Sequence, residues 1–367
     1  MRRALSLAER GMHSTRPNPR VGCVLLKDER VVGEGFHERA GDPHAEIHAL
    51  REAGGEARGA TAYVTLEPCA HHGRTPPCTD ALIAAGVARV VVAIADSDPR
   101  VAGKGLAQLR AAGIEIVTGV ESEAARWLNI GFFSRMERAR PWLRSKLALS
   151  ADGRSALGNG QSKWLTQPQA RADGHRFRAR ACALLTGIGT VLKDDPQLNV
   201  RLPDAGEIAP QTVVIVDPAL RTPTDAKILQ TSQSVVLVHH DEAVAKSFAG
   251  HVQLWQAEKT SQERIDLGAL LTRLARERQC NEVHLEAGAK LSGALLEQGL
   301  IDEILIYSAP MVLGRDAMPA FDLPSGDSLD RVRRGHWLEA TPLGKDVRLR
   351  MALTSPYFSE LQTATEE

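Results

Sequence analysis

Two α/β domains joined near Pro141 are what this sequence predicts, on three observations. The chain has 367 residues, 43% of them hydrophobic, which is more than one ordinary core accommodates. Through the first third, Val-rich runs of strand length alternate with helical stretches, the β-α-β-α order of a sheet covered by helices. The pattern then restarts: a charged helical stretch ends near Pro141, a new strand begins, and a second α/β alternation follows. The expected domains are residues 1–141 and 142–367.

In the first domain, VGCVLL (21–26), VVGEGF (31–36), AYVTL (62–66) and RVVVAI (89–94) read as strands. PHAEIHALREAG (43–54) and CTDALIAAG (78–86) read as helices, each ending in the glycine that helix C termini favour. Asp42 is placed to cap the first of them and Pro43 suits its first position. ESEAARWLNIGFFSRMER (121–138) reads as one longer amphipathic helix. In the second domain the strands are WLRSKLALS (142–150), CALLTG (182–187), QTVVIVD (211–217), SVVLVHH (234–240), NEVHLEAG (281–288) and DEILIYSAP (302–310). Helices fall between them at QPQARADGHRFRAR (167–180) and GALLTRLARERQ (268–279). No short repeat or low-complexity segment interrupts the pattern, and the polar tail SELQTATEE is expected to fray.

Composition excludes several classes. The 45 basic and 45 acidic residues balance without a basic stripe or acidic tail, so nucleic acid is not an expected partner. No run of about 18 apolar residues marks a membrane span. MRRALSLAERG at the N terminus is amphipathic for barely two turns and lacks the apolar core of a signal peptide. Five scattered cysteines without an export signal indicate a reducing, cytoplasmic setting. That disfavours a disulfide between Cys69 and Cys78.

Those two cysteines close the crowded segment EPCAHHGRTPPC (67–78). Cys78 follows Pro76-Pro77 at a helix N terminus, where the helix dipole favours a thiolate. Cys69 follows Glu67-Pro68 at the end of a strand. His44 and Glu46 are two residues apart in the first turn of another helix and so point in different directions. They suit one ligand and one reaching carboxylate. Two thiolates and one imidazole make three ligands for Zn²⁺ and leave a fourth position open, the pattern of a catalytic rather than a structural site. Zn²⁺ can bring the pKa of bound water to about 7, and Glu46 could carry its proton to a leaving group. A structural knuckle that recruits His71 or His72 as a fourth ligand is the competing reading, and His48 is expected to pack on the sheet among apolar neighbours.

HAE followed by PC and a second cysteine resembles the signature of zinc-dependent nucleobase deaminases, with C-x₈-C in place of the usual C-x₂-C. The long insert AHHGRTPP, with RPNPRVGCV upstream, closely resembles the deaminase half of the bifunctional riboflavin-biosynthesis deaminase/reductase family. SKLALSADGRSA, GQSKWLT, GIGTVLKDDPQLNVR and LEAG occur in the order of that family's reductase half. The resemblance spans nearly the whole chain. It implies an N-terminal cytidine-deaminase-like α/β/α domain with one zinc ion held by His44, Cys69 and Cys78, and Glu46 as the catalytic acid-base. It implies a C-terminal dihydrofolate-reductase-like α/β domain that uses NADPH.

The implied activity is hydrolytic deamination of 2,5-diamino-6-(5-phosphoribosylamino)pyrimidin-4(3H)-one at C2, then reduction of the ribosyl side chain of the product to ribityl. Small phosphoribosylated pyrimidines are the implied partners, in a homo-oligomer. By match to the family motifs, Asn18, His37 and Arg74 would meet the first substrate. Ala148, Trp164, Thr190, Asp194 and Pro218 would contact the cofactor, with Gly288, Ala289, Lys290, Leu291, Ser292, Gly293 and Ala294 forming its phosphate turn. Ser162, Arg178, Leu198, Arg201 and Glu286 would hold the second substrate, with Lys146 a candidate proton relay. The residue types agree: arginines grip a phosphate through charge-assisted bidentate bonds, and Gly288 and Gly293 let backbone approach a ligand. The Gly-rich turn is not the G-x-G-x-x-G fingerprint and alone is a weak signal. A polynucleotide-editing deaminase, a stand-alone reductase with a structural zinc domain and a non-catalytic zinc scaffold compete with this reading.

Overall fold

The computed structural model describes residues 1–71, 76–203, 206–240, 247–326, 328–330 and 332–357. The chain divides into two compact units, Met1–Arg138 with Glu207–Ala209, and Ala139–Gly206 with Pro210–Glu367. Among the described residues no helix is long and apolar enough to cross a membrane.

The first unit runs α1 (Arg2–Glu9), β1 (Gly22–Lys27), β2 (Arg30–Phe36), α2 (Ala45–Ala53), β3 (Thr61–Val64), α3 (Cys78–Ala84), β4 (Arg89–Val92), α4 (Lys104–Ala111), β5 (Glu115–Thr118), α5 (Ser122–Leu128) and α6 (Ile130–Arg138). Its five strands lie in the order β2-β1-β3-β4-β5. β1 is antiparallel to both neighbours, and β3, β4 and β5 are parallel. Leu25, Ala49, Val64, Leu82, Val90 and Leu109 are central to its core. Two glycines of β2 decide how closely α2 lies on the sheet. A Cβ at Gly33 would stand 2.2 Å from the Ala49 carbonyl oxygen, and one at Gly35 would stand 2.4 Å from the His48 Cβ. This close seat places His48 on the sheet and brings the start of α2 to the edge where β3 ends.

Two local expectations are corrected. α2 begins at Ala45, and its cap is His44 in extended conformation (φ −75°, ψ 166°), without a side-chain cap bond. Asp42 therefore does not cap the helix and Pro43 lies outside it; the Pro43 carbonyl instead faces the His37 ring at 3.2 Å. The stretch 121–138 is two helices, not one. Asn129 breaks it because its side chain serves the buried backbone of Arg20, accepting from the N–H and donating to the carbonyl, both at 2.8 Å.

The second unit runs β6 (Trp142–Ser150), β7 (Arg154–Ala156), α7 (Pro168–Arg180), β8 (Ala183–Gly187), α8 (Ile188–Asp194), β9 (Thr212–Val216), α9 (Lys227–Thr231), β10 (Val235–His239), β11 (Val252–Gln256), α10 (Leu267–Arg278), β12 (Glu282–Leu285), α11 (Ala289–Glu297), β13 (Glu303–Ala309), β14 (Met318–Pro319), β15 (His336–Leu343) and β16 (Asp346–Ala352). Nine strands form one sheet in the order β11-β10-β9-β8-β12-β6-β13-β16-β15. It is parallel from β11 to β13 and antiparallel over β16 and β15.

One apolar layer gathers Leu143, Leu147, Leu185, Leu271, Leu285 and Leu295. The opposite face of the central strands carries charge. Arg144 is fully buried between Glu282 (3.1 Å) and Glu303 (2.9 Å). Arg180 of α7 reaches Glu282 at 2.7 Å, and Arg350 of β16 reaches Glu303 at 2.7 Å. Burial opposes the charge on Arg144, but the two carboxylates outweigh it and raise its pKa. The alternation Arg180–Glu282–Arg144–Glu303–Arg350 thus ties α7 to the sheet across four strands. Removing the central member would leave two carboxylates buried without their shared partner. Arg144→Leu is expected to destabilise the second unit by about 3–5 kcal/mol. Hydrogen exchange checks this: protection falls in β6 and β12, while β1, β3 and β4 of the first unit keep theirs.

Candidate active sites

In the first unit, three elements converge on one point. His44 sits at the start of α2, Cys69 follows β3, and Cys78 is the first residue of α3. The Nδ1 atom of His44 lies 3.2 Å from the Cys78 sulfur and 3.5 Å from the Cys69 sulfur. All three donor atoms lie within 4.8 Å of one another, and among the described residues no other His, Cys, Asp or Glu joins them. His71 stays outside the group, while His72 and Arg74 lie outside the described residues. None of the five cysteines forms a disulfide.

The two cysteines share charge unequally. Hydrogen bonds from the Cys78 thiol, from His44 and from the Cys78 backbone N–H draw Cys69 down to about 4, against the opposing effect of burial. Cys78 is pushed up because its thiol donates a hydrogen bond to Cys69, which holds the proton on Cys78, and because it is buried. A thiolate, a second sulfur and an imidazole nitrogen at mutual contact form a donor set that fits Zn²⁺, whose charge would displace the remaining proton. Glu46 is buried beside them, and its Oε2 has no hydrogen-bond partner. Burial raises its pKa, with His44 acting in the opposite direction.

Asn18 and His37 form a pair on the same side. The His37 ring stands edge-on to the His44 ring, with centroids 5.3 Å apart. Its Nδ1 faces the Pro43 carbonyl oxygen at 3.2 Å, which can only accept, so Nδ1 carries the proton. Nε2 is then the acceptor for the Asn18 amide at 3.1 Å. Burial lowers the His37 pKa and keeps the ring neutral. Both ring nitrogens are therefore occupied by protein groups. In this arrangement His37 orients the Asn18 amide.

Glu67 has a place in the site that its sequence position did not disclose. Its carboxylate accepts from the backbone N–H groups of Gly103 (3.0 Å), Asp96 (3.2 Å) and Leu106 (3.2 Å), satisfying the start of α4. A Cβ at Gly105 would stand 2.1 Å from the Pro68 carbonyl oxygen, so α4 rests directly on the turn that carries Cys69. The Thr79 N–H and hydroxyl both lie 3.2 Å from the Cys69 carbonyl oxygen and hold the same turn from the other side.

In the second unit, β6, β12 and α7 bring Lys146, Glu286 and Arg178 together. Arg178 pairs with Glu286 at 2.7 Å and donates to the Asn199 carbonyl oxygen at 2.5 Å. Burial opposes ionisation of Glu286, but Arg178, His284 and Lys146 outweigh it and hold its carboxyl well below the usual range. Burial lowers the Lys146 pKa, with Glu286 opposing and Arg178 adding to it. Lys146 lies over the Tyr307 ring at 5.9 Å, and the Tyr307 hydroxyl donates to Asp173 at 2.8 Å. Ala148 follows two residues along β6, on the same face as Lys146.

Other expected contacts divide. Trp164 is 68% exposed, with the Arg171 guanidinium 4.5 Å from its ring centre. Ser162, Thr190, Asp194 and Pro218 are partly exposed, and Thr190 and Asp194 sit on α8. Leu198 is buried in an apolar cluster with Val213 and Ile215, so only its backbone, at φ 47°, is left to meet a ligand. At α11, Gly288, Ala289 and Lys290 present the helix start, and a Cβ at Gly288 would meet nothing. Leu291 and Ala294 are half-buried. Ser292 and Gly293 face inward: a Cβ at Gly293 would stand 2.3 Å from the Asp322 carbonyl oxygen. The absence of a side chain at Gly293 thus lets α11 pack against the Asp322 backbone.

Residues 1–94 match the cytidine and deoxycytidylate deaminase zinc-binding region, and residues 141–346 match the RibD C-terminal domain. The riboflavin biosynthesis protein RibD of Escherichia coli (strain K12) is 44% identical, with 96% of this chain and 98% of that protein covered. This chain belongs to the RibD family. It is a bifunctional deaminase and reductase of riboflavin biosynthesis that uses zinc and NADPH. RibD of Haemophilus influenzae is 43% identical, with 95% of each chain covered. A crystal form of Acinetobacter baumannii RibD superposes with a TM-score of 0.88 at 43% identity, covering 96% of this chain and 98% of that one. A Thermotoga maritima structure described as a diaminohydroxyphosphoribosylaminopyrimidine deaminase/5-amino-6-(5-phosphoribosylamino)uracil reductase gives 0.85 at 32% identity, covering 96% and 97%.

For a RibD chain, the donor set in the first unit carries a direct test. Cys78→Ser is expected to reduce bound zinc well below one ion per chain in folded protein, as measured by metal analysis. Full zinc in a stable variant would remove Cys78 from the ligand set.

Proposed function

We propose that each unit carries one of the two reactions and that the named residues divide the work within it. The boundary lies near Pro141. The first unit removes the 2-amino group of 2,5-diamino-6-(5-phosphoribosylamino)pyrimidin-4(3H)-one. The observation that carries this assignment is the buried carboxyl of Glu46, one oxygen unpartnered, beside the His44–Cys69–Cys78 donor set. Those three residues would hold zinc, which when bound would make a water acidic enough to attack at neutral pH. Glu46 takes the proton from that water and delivers it to the departing nitrogen: a C2–O bond forms, the C2–N bond breaks, and ammonia leaves. The Asn18 amide, with its –NH₂ fixed by His37, turns its carbonyl oxygen to the pyrimidine edge.

The second unit reduces the ribosyl group of the deaminated product to ribityl. NADPH would supply the hydride, and Gly288, Ala289 and Lys290 at the start of α11 would hold its phosphates, since the backbone N–H groups of a helix start favour an anion. Lys146, its charge weakened by burial, exchanges the proton that accompanies the hydride. Glu286 holds Lys146 and Arg178 in place. The Arg178 fork is already engaged with Glu286 and Asn199, so the exposed Arg201 is the better placed cation for the ribose 5-phosphate.

The division of labour is tested by Glu46→Gln, which keeps shape and loses the acid-base. Ammonia release from the diamino substrate is expected to fall at least about a hundredfold. Reduction of supplied deaminated product, followed as NADPH oxidation, is expected to stay within about twofold of wild type. Collapse of both activities in a folded variant would overturn the two-site division.

A further inference from the structure

α7 places His175 and Arg178 three residues apart, hence on one face of the helix. Both reach the same loop. Arg178 donates to the Asn199 carbonyl oxygen at 2.5 Å, and the His175 Nδ1 accepts the backbone N–H of Arg201 at 3.2 Å. Arg201 itself donates to the Asn199 side chain at 3.3 Å. The loop is thus stapled to α7 at two points, Asn199 and Arg201, two residues apart, and the second staple holds the exposed arginine.

The chemistry of that second staple is selective. His175 stands near Arg178, Arg201 and Lys146, with Glu286 as the opposing anion. Burial first, and then the charges of Arg178 and Arg201, pull its pKa down to about 4, so the ring is neutral at physiological pH. A neutral ring whose Nδ1 accepts must carry its proton on Nε2. An aspartate could also accept the Arg201 N–H, but its charge would cancel part of the positive field around the loop. A neutral acceptor fixes the backbone and leaves that field intact for an anion.

We propose that His175 is a positioning residue for substrate phosphate, acting as an uncharged acceptor that orients Arg201. This rests on the reading of Arg201 as a phosphate partner. Loss of the staple loosens the arginine without touching the hydride or proton steps. The effect therefore belongs in the KM for the phosphorylated substrate and not in kcat.

The test uses the full chain with zinc and NADPH, and four variants: His175→Ala, His175→Asn, His175→Asp and Arg201→Gln. His175→Ala is expected to raise the reductase KM for the deaminated phosphoribosyl substrate about tenfold, the order of one lost hydrogen bond, with kcat and the KM for NADPH within about twofold. His175→Asn, a neutral acceptor, is expected to recover most of the loss. His175→Asp is expected to be worse than His175→Ala. The wild-type KM is expected to show no histidine inflection that His175→Asn removes. An unchanged KM in His175→Ala, an aspartate variant as good as asparagine, or a parallel change in the KM for NADPH would overturn the proposal. Arg201→Gln separates the two levels. If it leaves KM unchanged, the phosphate reading of Arg201 fails; if it raises KM while the His175 variants do not, only the role of His175 fails.

Discussion

A charge taken out of water must be met by another charge, and both units are organised around that constraint. In the second unit the clearest case is Arg144, fully buried with Glu282 and Glu303 on either side. The same ion ladder continues through Arg180 into α7, and α7 carries Arg178 and His175 to the substrate side. In the first unit the clearest case is Glu46, whose Oε2 lacks a hydrogen-bond partner and lies beside a sulfur–sulfur–nitrogen donor set rather than a fixed cation. One unit answers its buried charge with arginines, the other with a site for a metal ion. That difference separates a scaffold from a reactive centre.

Positioning in both units comes from backbone contacts that leave charge where the chemistry needs it. Glu67 spends its carboxylate on three backbone N–H groups and so seats α4 on the Cys69 turn. His37 uses both ring nitrogens to aim the Asn18 amide. His175 holds the Arg201 backbone without neutralising the arginines around it. In each case a carboxylate or imidazole is engaged with protein groups and fixes the segment beside it.

The ligand triad was legible because donor type, helix-start signals and spacing all pointed to the same residues: His44 and Cys78 at helix starts, Cys69 after a strand. The Val-rich strands were legible for the same reason of consistency across levels. What stayed hidden depends on partners distant in sequence. Asp42 looks like a cap until the Pro43 carbonyl is seen to face His37. Asn129 interrupts a helical pattern because Arg20, 109 residues away, needs its backbone satisfied. The need for glycine at 293 comes in part from the Asp322 backbone, which stands where a side chain would be. α4, β5, β11 and β15 escaped notice because they are short or lie at sheet edges, where strands carry polar residues and lose the apolar signal; β16, inside the sheet, alternates charged and apolar residues over DVRLRMA and was missed with its edge partner.

The account makes the two sites consecutive, with the product of Glu46 chemistry as the substrate of the Lys146–Arg178–Glu286 site. The most direct measurement follows ammonia and NADPH in one sample after the diamino substrate is mixed with wild-type enzyme. Ammonia is predicted to appear first, with NADPH oxidation following after a lag and never exceeding it. NADPH consumed before ammonia, or consumed without it, would contradict the account.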